Sequence, residues 1–110
     1  MENIRGVEGI IKLARGLIEQ NPGNLYFHLI DDYLTHLSCT YYMAGETVDV
    51  ICYRYPWLEK YMNREEVALA GGLHDIGRPL GKNQLFHELR GARYIEDYGL
   101  EMGHMLFLIQ

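Results

Sequence analysis

The sequence predicts an all-α protein in which four to five helices pack as an orthogonal bundle. Apolar residues recur at steps of three and four over most of the chain, which is the spacing of one face of a helix. No segment alternates apolar and polar residues over a length typical of a strand, and no internal repeat is present. A length of 110 residues suits one domain spanning residues 1–110.

The first two predicted helices are bounded by residues that commonly interrupt helices. A stop signal at Asn21-Pro22-Gly23-Asn24 separates them. The second helix is predicted from about Leu25 to Tyr55, with a bend near Gly45, and Pro56 ends it. The residues that share one face of the first helix are Ile4, Val7, Ile11, Ala14 and Ile18.

The third and fourth predicted helices follow the same logic. Asn63 begins the third helix, and Glu66 three residues later makes a variant of the capping box. Gly77 and Pro79 are expected to end it. The fourth helix is predicted from about Gln84 to Tyr98. Its inward-facing residues are predicted to be Leu85, Leu89 and Ala92.

The charge and hydropathy of the chain exclude some classes of partner. A net charge of −5 argues against binding a nucleic acid duplex or an anionic membrane surface. An anionic substrate stays possible, because a bound divalent metal inverts the local field. No window approaches the roughly 18 apolar residues of a membrane span, and the N-terminal sequence MENIRGVEG lacks the apolar core of a secretion signal. We therefore expect a cytoplasmic protein whose Cys39 and Cys52 are reduced and lie in the core.

Nine tyrosines are present, and several are clustered. Aromatic rings can stack on nucleic acid bases. Without basic partners, however, they more commonly fill the core and the interfaces between helices. We therefore expect Tyr41, Tyr42, Tyr53 and Tyr55 to be packing residues.

The stretch AGGLHDIGRPL, residues 70–80, places a histidine and an aspartate side by side after small and apolar residues. Both side chains are costly to bury unless they are paired. His74 and Asp75 can reach one ion located at a helix end, and the two preceding glycines would let another helix approach closely. The alternative is a polar last turn, in which His74 complements the helix dipole.

Other residues could complete a metal site with this pair. His36 is the best candidate, on the core side of the second helix, whereas His28 lies about 80° around that helix on a more polar face. His87 opens the fourth helix and could lean toward His74. Arg78 suits a phosphate contact. Two or three histidines with one aspartate suit Mn, Fe, Co, Ni or Zn, although an isolated histidine is more commonly a core or surface residue.

The segment LAGGLHDIGRPL, residues 69–80, resembles the signature of the HD-domain metal-dependent phosphohydrolases, in which a helix of small residues ends in L-H-D-I-G. His36 lies upstream on a long helix, where the family has its first ligand. The segment FHELRGARYIEDYG, residues 86–99, is similar to the family's later H-x-x-x-G-A segment. The resemblance extends from about Leu25 to Gly99.

This resemblance implies an all-α domain that holds one or two divalent metals (Mn, Fe, Co, Ni, Zn or Mg) and cleaves a small phosphorylated substrate, commonly a nucleotide. It implies that His36, His74 and Asp75 are metal ligands and that His87 binds a second metal. Asp75 and Arg78 would act in catalysis, Arg78 by holding the substrate phosphate. The metal would polarise a phosphoryl oxygen and supply the nucleophile.

One departure from the family leaves two hypotheses open. The family's last aspartate ligand comes from a later helix, but the only aspartate after Asp75 is Asp97. It lies about 15 Å along the predicted helix from His87, and Glu88 is a weak substitute. The chain is therefore expected to be either an active phosphohydrolase or a non-catalytic HD-type module that is degenerate or truncated. Such a module would bind a partner or form a homo-oligomer through its apolar C-terminal segment, Leu100 to Gln110.

Overall fold

The computed structural model describes residues 4–81 and 87–97, and for residues 87–89, 96 and 97 it describes the backbone alone. The prediction of an all-α fold is confirmed for these residues, because every element in them is helical. The four α-helices are α1 (Gly6–Gln20), α2 (Ile30–Arg54), α3 (Arg64–Leu73) and α4 (His87–Asp97). Short 3-10 helices cover Phe27–Leu29, Pro56–Lys60 and Arg78–Leu80.

The long helix α2 is the centre of the packing. It makes its most extensive contact with α3, and α1 packs against both. Buried residues recur along α2 at steps of three and four, which places one face of the helix in the core. Among the core residues with the largest buried side chains are Ile10, Leu37, Leu73, Ile76 and Ile95.

Two glycines of α3 permit this close packing, as the sequence predicts. A Cβ atom on Gly71 would lie 2.6 Å from the Ala44 Cβ and 2.8 Å from the Thr40 carbonyl oxygen, both on α2. A Cβ atom on Gly72 would meet the Cδ1 atom of Ile10 on α1. Because these two glycines have no side chain, α3 can come this near to α1 and α2.

The observed start of α2 corrects the prediction. The helix begins at Ile30, five residues later than expected, and a 3-10 helix precedes it. The Asn24 side-chain amide donates a hydrogen bond to the carbonyl oxygen of Pro79 (3.1 Å), which ties the connection to a distant turn. This long-range contact is invisible to local periodicity.

Both ends of α3 can be compared with the sequence. The predicted cap is confirmed, because the Asn63 side chain accepts a hydrogen bond from the Glu66 backbone N–H. The predicted end at Gly77 and Pro79 is wrong, because the helix ends at Leu73 and His74 caps it.

Several residues expected in the core lie on the surface instead. Cys52 is buried but Cys39 is exposed, and both thiols are free. Tyr41 is buried, whereas Tyr42, Tyr53 and Tyr55 are exposed. Neighbouring helical residues point about 100° apart, so a run such as Tyr41-Tyr42 cannot share one buried face. Within the described residues, no helix combines the length and the apolarity needed to cross a membrane.

Candidate metal centre

The His74–Asp75 pair lies in a tight turn that directly follows α3. The Ile76 N–H donates to the Leu73 carbonyl (3.0 Å), and the Arg78 N–H donates to the Asp75 carbonyl (3.2 Å). These bonds span three residues, so they tighten the chain relative to an α-helix. The turn buries Asp75, which is 4% exposed. Among the described residues, Asp75 is the charged residue that lies in the core.

Three potential metal ligands converge at this turn. The His36 Nε2 lies 2.7 Å from the Asp75 Oδ2, and the His74 Nε2 lies 3.1 Å from the same oxygen. One ligand atom from each residue lies within 4.8 Å of the other two. His36 comes from α2 and is 39 residues away from Asp75 in the sequence. Packing of α2 against α3 therefore assembles the cluster.

The orientation of His74 is set by its own helix. The His74 Nδ1 lies 2.6 Å from the carbonyl oxygen of Gly71. A carbonyl can only accept, so Nδ1 carries a proton. In the neutral ring the Nε2 lone pair then faces the Asp75 carboxylate, and two lone pairs at 3.1 Å repel each other. Either a proton on Nε2 or a cation beside it removes the repulsion. A Nδ1–H bond to a backbone carbonyl is also the common support of a histidine that binds metal through Nε2.

The charges around His74 are consistent with this geometry. The hydrogen bond to Asp75 raises the pKa of His74 above its ordinary value, although partial burial opposes the shift. Arg78 approaches the other carboxylate oxygen, with its Nε 3.7 Å from the Asp75 Oδ1. Asp75, the buried carboxylate among the described residues, is thus contacted by His36, His74 and Arg78.

The cluster fits a divalent metal by its spacing and its donor atoms. Ligand bonds of about 2.1 Å at right angles separate two ligand atoms by roughly 3.0 Å. The distances of 2.7 and 3.1 Å to Asp75 lie close to that value. Two imidazoles and one carboxylate suit Mn, Fe, Co, Ni or Zn better than Mg, which prefers oxygen ligands.

The position of His36 differs from the prediction in one respect. It was expected on the core side of α2, but its side chain is 48% exposed. It lies at the border of the buried face, one turn from the buried Tyr33 and next to the buried Leu37. The border position lets its ring reach Asp75 while one side stays open to solvent. A substrate could therefore approach the cluster from outside.

A residue that the sequence analysis did not assign to the site contacts Asp75. The Tyr33 hydroxyl donates a hydrogen bond to the Asp75 carbonyl oxygen (2.9 Å). Burial raises the pKa of Tyr33 above that of free tyrosine, and the Asp75 charge raises it further, so the hydroxyl stays protonated. The available sequence signal was its spacing, three residues before His36 on the same helix face.

Of the other candidate metal ligands, one lies outside the cluster, and the others have side chains that are not among those the structure describes. His28 is exposed on the 3-10 helix before α2 and is not part of the cluster. The backbone of α4 packs against the turn, since a Cβ on Gly91 would lie 2.9 Å from the Gly77 nitrogen. Position 87 lies one helical turn before Gly91, but the side chains of His87, Glu88 and Asp97 and the segment 100–110 lie outside the described residues. A ligand role for His87 therefore stays a prediction.

Comparison of the chain with protein-family models, with curated proteins and with solved structures finds no match.

Proposed function

We propose that this protein is a metal-dependent phosphohydrolase of the HD type, acting on a nucleotide or another small phosphoester. The observation that carries the proposal is that His36, His74 and Asp75 each offer one ligand atom, and these three atoms lie within 4.8 Å of one another. These residues hold the positions that the L-H-D-I-G resemblance assigns to metal ligands. Sequence resemblance and spatial convergence are separate arguments for the same three residues.

Each residue of the cluster has a distinct part in this function. His36, His74 and Asp75 would hold the metal, which when bound supplies a Lewis acid for a phosphoryl oxygen and activates a water molecule. The Gly71 carbonyl keeps the His74 Nε2 available as a ligand. Asp75 contributes the negative charge that a buried cation requires.

Arg78 would contact the substrate. It places a permanent positive charge beside the cluster, and its side chain is 36% exposed. A guanidinium group matches two phosphate oxygens at once, which a lysine cannot do. Neutralising the phosphate charge next to the metal favours both binding and the transition state of phosphoryl transfer.

A non-catalytic HD-type module is the second candidate. The cluster among the described residues contains a single carboxylate, whereas the family adds a later aspartate. Large apolar side chains are also exposed at the far end of α2, in the following 3-10 helix and directly after it, among them Tyr53, Trp57 and Tyr61. This candidate predicts a folded protein with weak metal binding, no turnover and a binding partner.

Metal content and phosphatase activity separate the two candidates. The protein is purified without chelator, and its metals are measured by elemental analysis beside His74→Ala and His28→Ala. His28→Ala is the matched control, because His28 is an exposed histidine outside the cluster. We expect near-stoichiometric metal in the parent and in His28→Ala and its loss in His74→Ala, together with metal-dependent hydrolysis of bis(p-nitrophenyl) phosphate or of a nucleotide panel. Absence of metal from all three proteins after incubation with Mn²⁺, Co²⁺ and Zn²⁺ would refute the enzyme.

A further inference from the structure

Helix α2 holds Asp75 at two points rather than one. The His36 ring contacts its carboxylate (2.7 Å), and the Tyr33 hydroxyl donates to its backbone carbonyl (2.9 Å). Tyr33 and His36 are three residues apart, so they lie on neighbouring turns of one helix face. Helix α2 thus contacts both the backbone and the side chain of Asp75.

The backbone of Asp75 needs such a contact because it lies beyond α3. The helix ends at Leu73, and the Asp75 carbonyl accepts a local bond from the Arg78 N–H (3.2 Å). That bond shapes the turn but does not connect it to α2. The Tyr33 bond spans 42 residues and makes this connection. Tyr33 is itself buried, which restricts the movement of its ring.

We propose that Tyr33 is a positioning residue for the metal centre, whose hydroxyl fixes the Asp75 carboxylate at the distance from His36 that metal binding requires. This inference rests on the proposed metal-binding function. The Tyr33 hydroxyl contacts the Asp75 backbone carbonyl rather than its carboxylate, so Tyr33 acts through Asp75. Groups that orient metal ligands commonly change metal affinity about 10- to 100-fold when they are removed.

Tyr41 offers a matched control on the same helix. It is also buried on α2, and its hydroxyl donates a hydrogen bond to Glu65 Oε2 of α3 (2.7 Å). Both tyrosines therefore link α2 to the α3 region through one hydroxyl. Glu65 is not part of the metal cluster, so Tyr41 shares the structural role without the positioning role.

The experiment compares Tyr33→Phe with Tyr41→Phe by titration with Co²⁺ alone, following the d–d absorption of the bound ion. Each variant keeps its ring and loses one hydroxyl. We expect Tyr33→Phe to raise the Kd for Co²⁺ about tenfold or more and to shift the absorption band at saturation. Tyr41→Phe should leave the Kd within about twofold of the parent and the band unchanged.

The outcomes separate this inference from the proposed function. If the parent binds no Co²⁺, the proposed function fails. If the parent binds but Tyr33→Phe has the same Kd and band, the positioning role is wrong. A variant that is half unfolded would raise the apparent Kd only about twofold, so circular dichroism of each variant distinguishes loss of fold from loss of positioning. Equal tenfold effects of the two substitutions would also overturn the inference.

Discussion

Replacing Gly71 by alanine tests how strictly the packing of α2 against α3 is set. The new Cβ would lie 2.6 Å from the Ala44 Cβ and 2.8 Å from the Thr40 carbonyl oxygen. Ordinary contacts begin at 3.4 Å, so the helices must separate by somewhat under 1 Å. The oxygen belongs to the backbone of α2 and cannot rotate away as a flexible side chain would.

The expected change in the free energy of unfolding of Gly71→Ala is the balance of two opposing effects. Overpacking of a tight contact costs about 1–3 kcal/mol. Replacing glycine by alanine inside a helix stabilises the helix by about 1 kcal/mol. We therefore expect Gly71→Ala to lower the free energy of unfolding by up to roughly 2 kcal/mol. Metal affinity should fall as well, because Thr40 lies one turn after His36 and the Gly71 carbonyl orients His74.

Gly16→Ala is the matched control for this substitution. Gly16 lies within α1, and among the described residues no atom outside the adjoining chain of its own helix lies within 4 Å of an added Cβ. The substitution should raise the free energy of unfolding by about 0.5–1 kcal/mol. Urea denaturation followed by circular dichroism at 222 nm measures both variants. If Gly71→Ala is as stable as Gly16→Ala, the close approach of α2 and α3 does not limit the fold, and the packing argument is wrong.

Two further predictions concern the other end of α3 and its contact with α2. Asn63→Ala removes the acceptor for the Glu66 N–H and should lower the free energy of unfolding by about 1 kcal/mol, measured by urea denaturation. Asn63→Asp keeps an acceptor, so its free energy of unfolding should stay near that of the parent. Equal stability of all three proteins would refute the cap. The hydrogen bond to Glu65 raises the pKa of Tyr41 from 10.0 to about 12. The neutral phenol is therefore favoured by the fold, and its contribution to stability is complete below pH 10 and is lost as the pH rises through 12. The difference in unfolding free energy between the parent and Tyr41→Phe should shrink over that range, and a difference that stays constant would contradict the assignment.

The predicted parts of the fold are those that depend on neighbouring residues. Helical periodicity located the interior of all four helices, and the Asn63 cap was readable because its partner Glu66 is three residues away. The small residues Gly71 and Gly72 correctly indicated a close helix contact. The errors lie at the helix boundaries, such as Ile30, where contacts from distant residues decide where a helix begins.

The candidate site also has features that neighbouring residues predict and features that depend on distant contacts. Adjacent His74 and Asp75 are a local pattern, and the sequence by itself placed them near the end of a helix of small residues and indicated His36 as the best candidate for a partner. The tertiary structure alone decided that His36 is half exposed, that Arg78 faces the second oxygen of Asp75, and that Tyr33 holds its backbone. The contacts of Asp75 with His36 and Tyr33 join residues 39 and 42 positions apart. Local propensity carries no information about such pairs, because their geometry exists only once α2 and α3 have packed together.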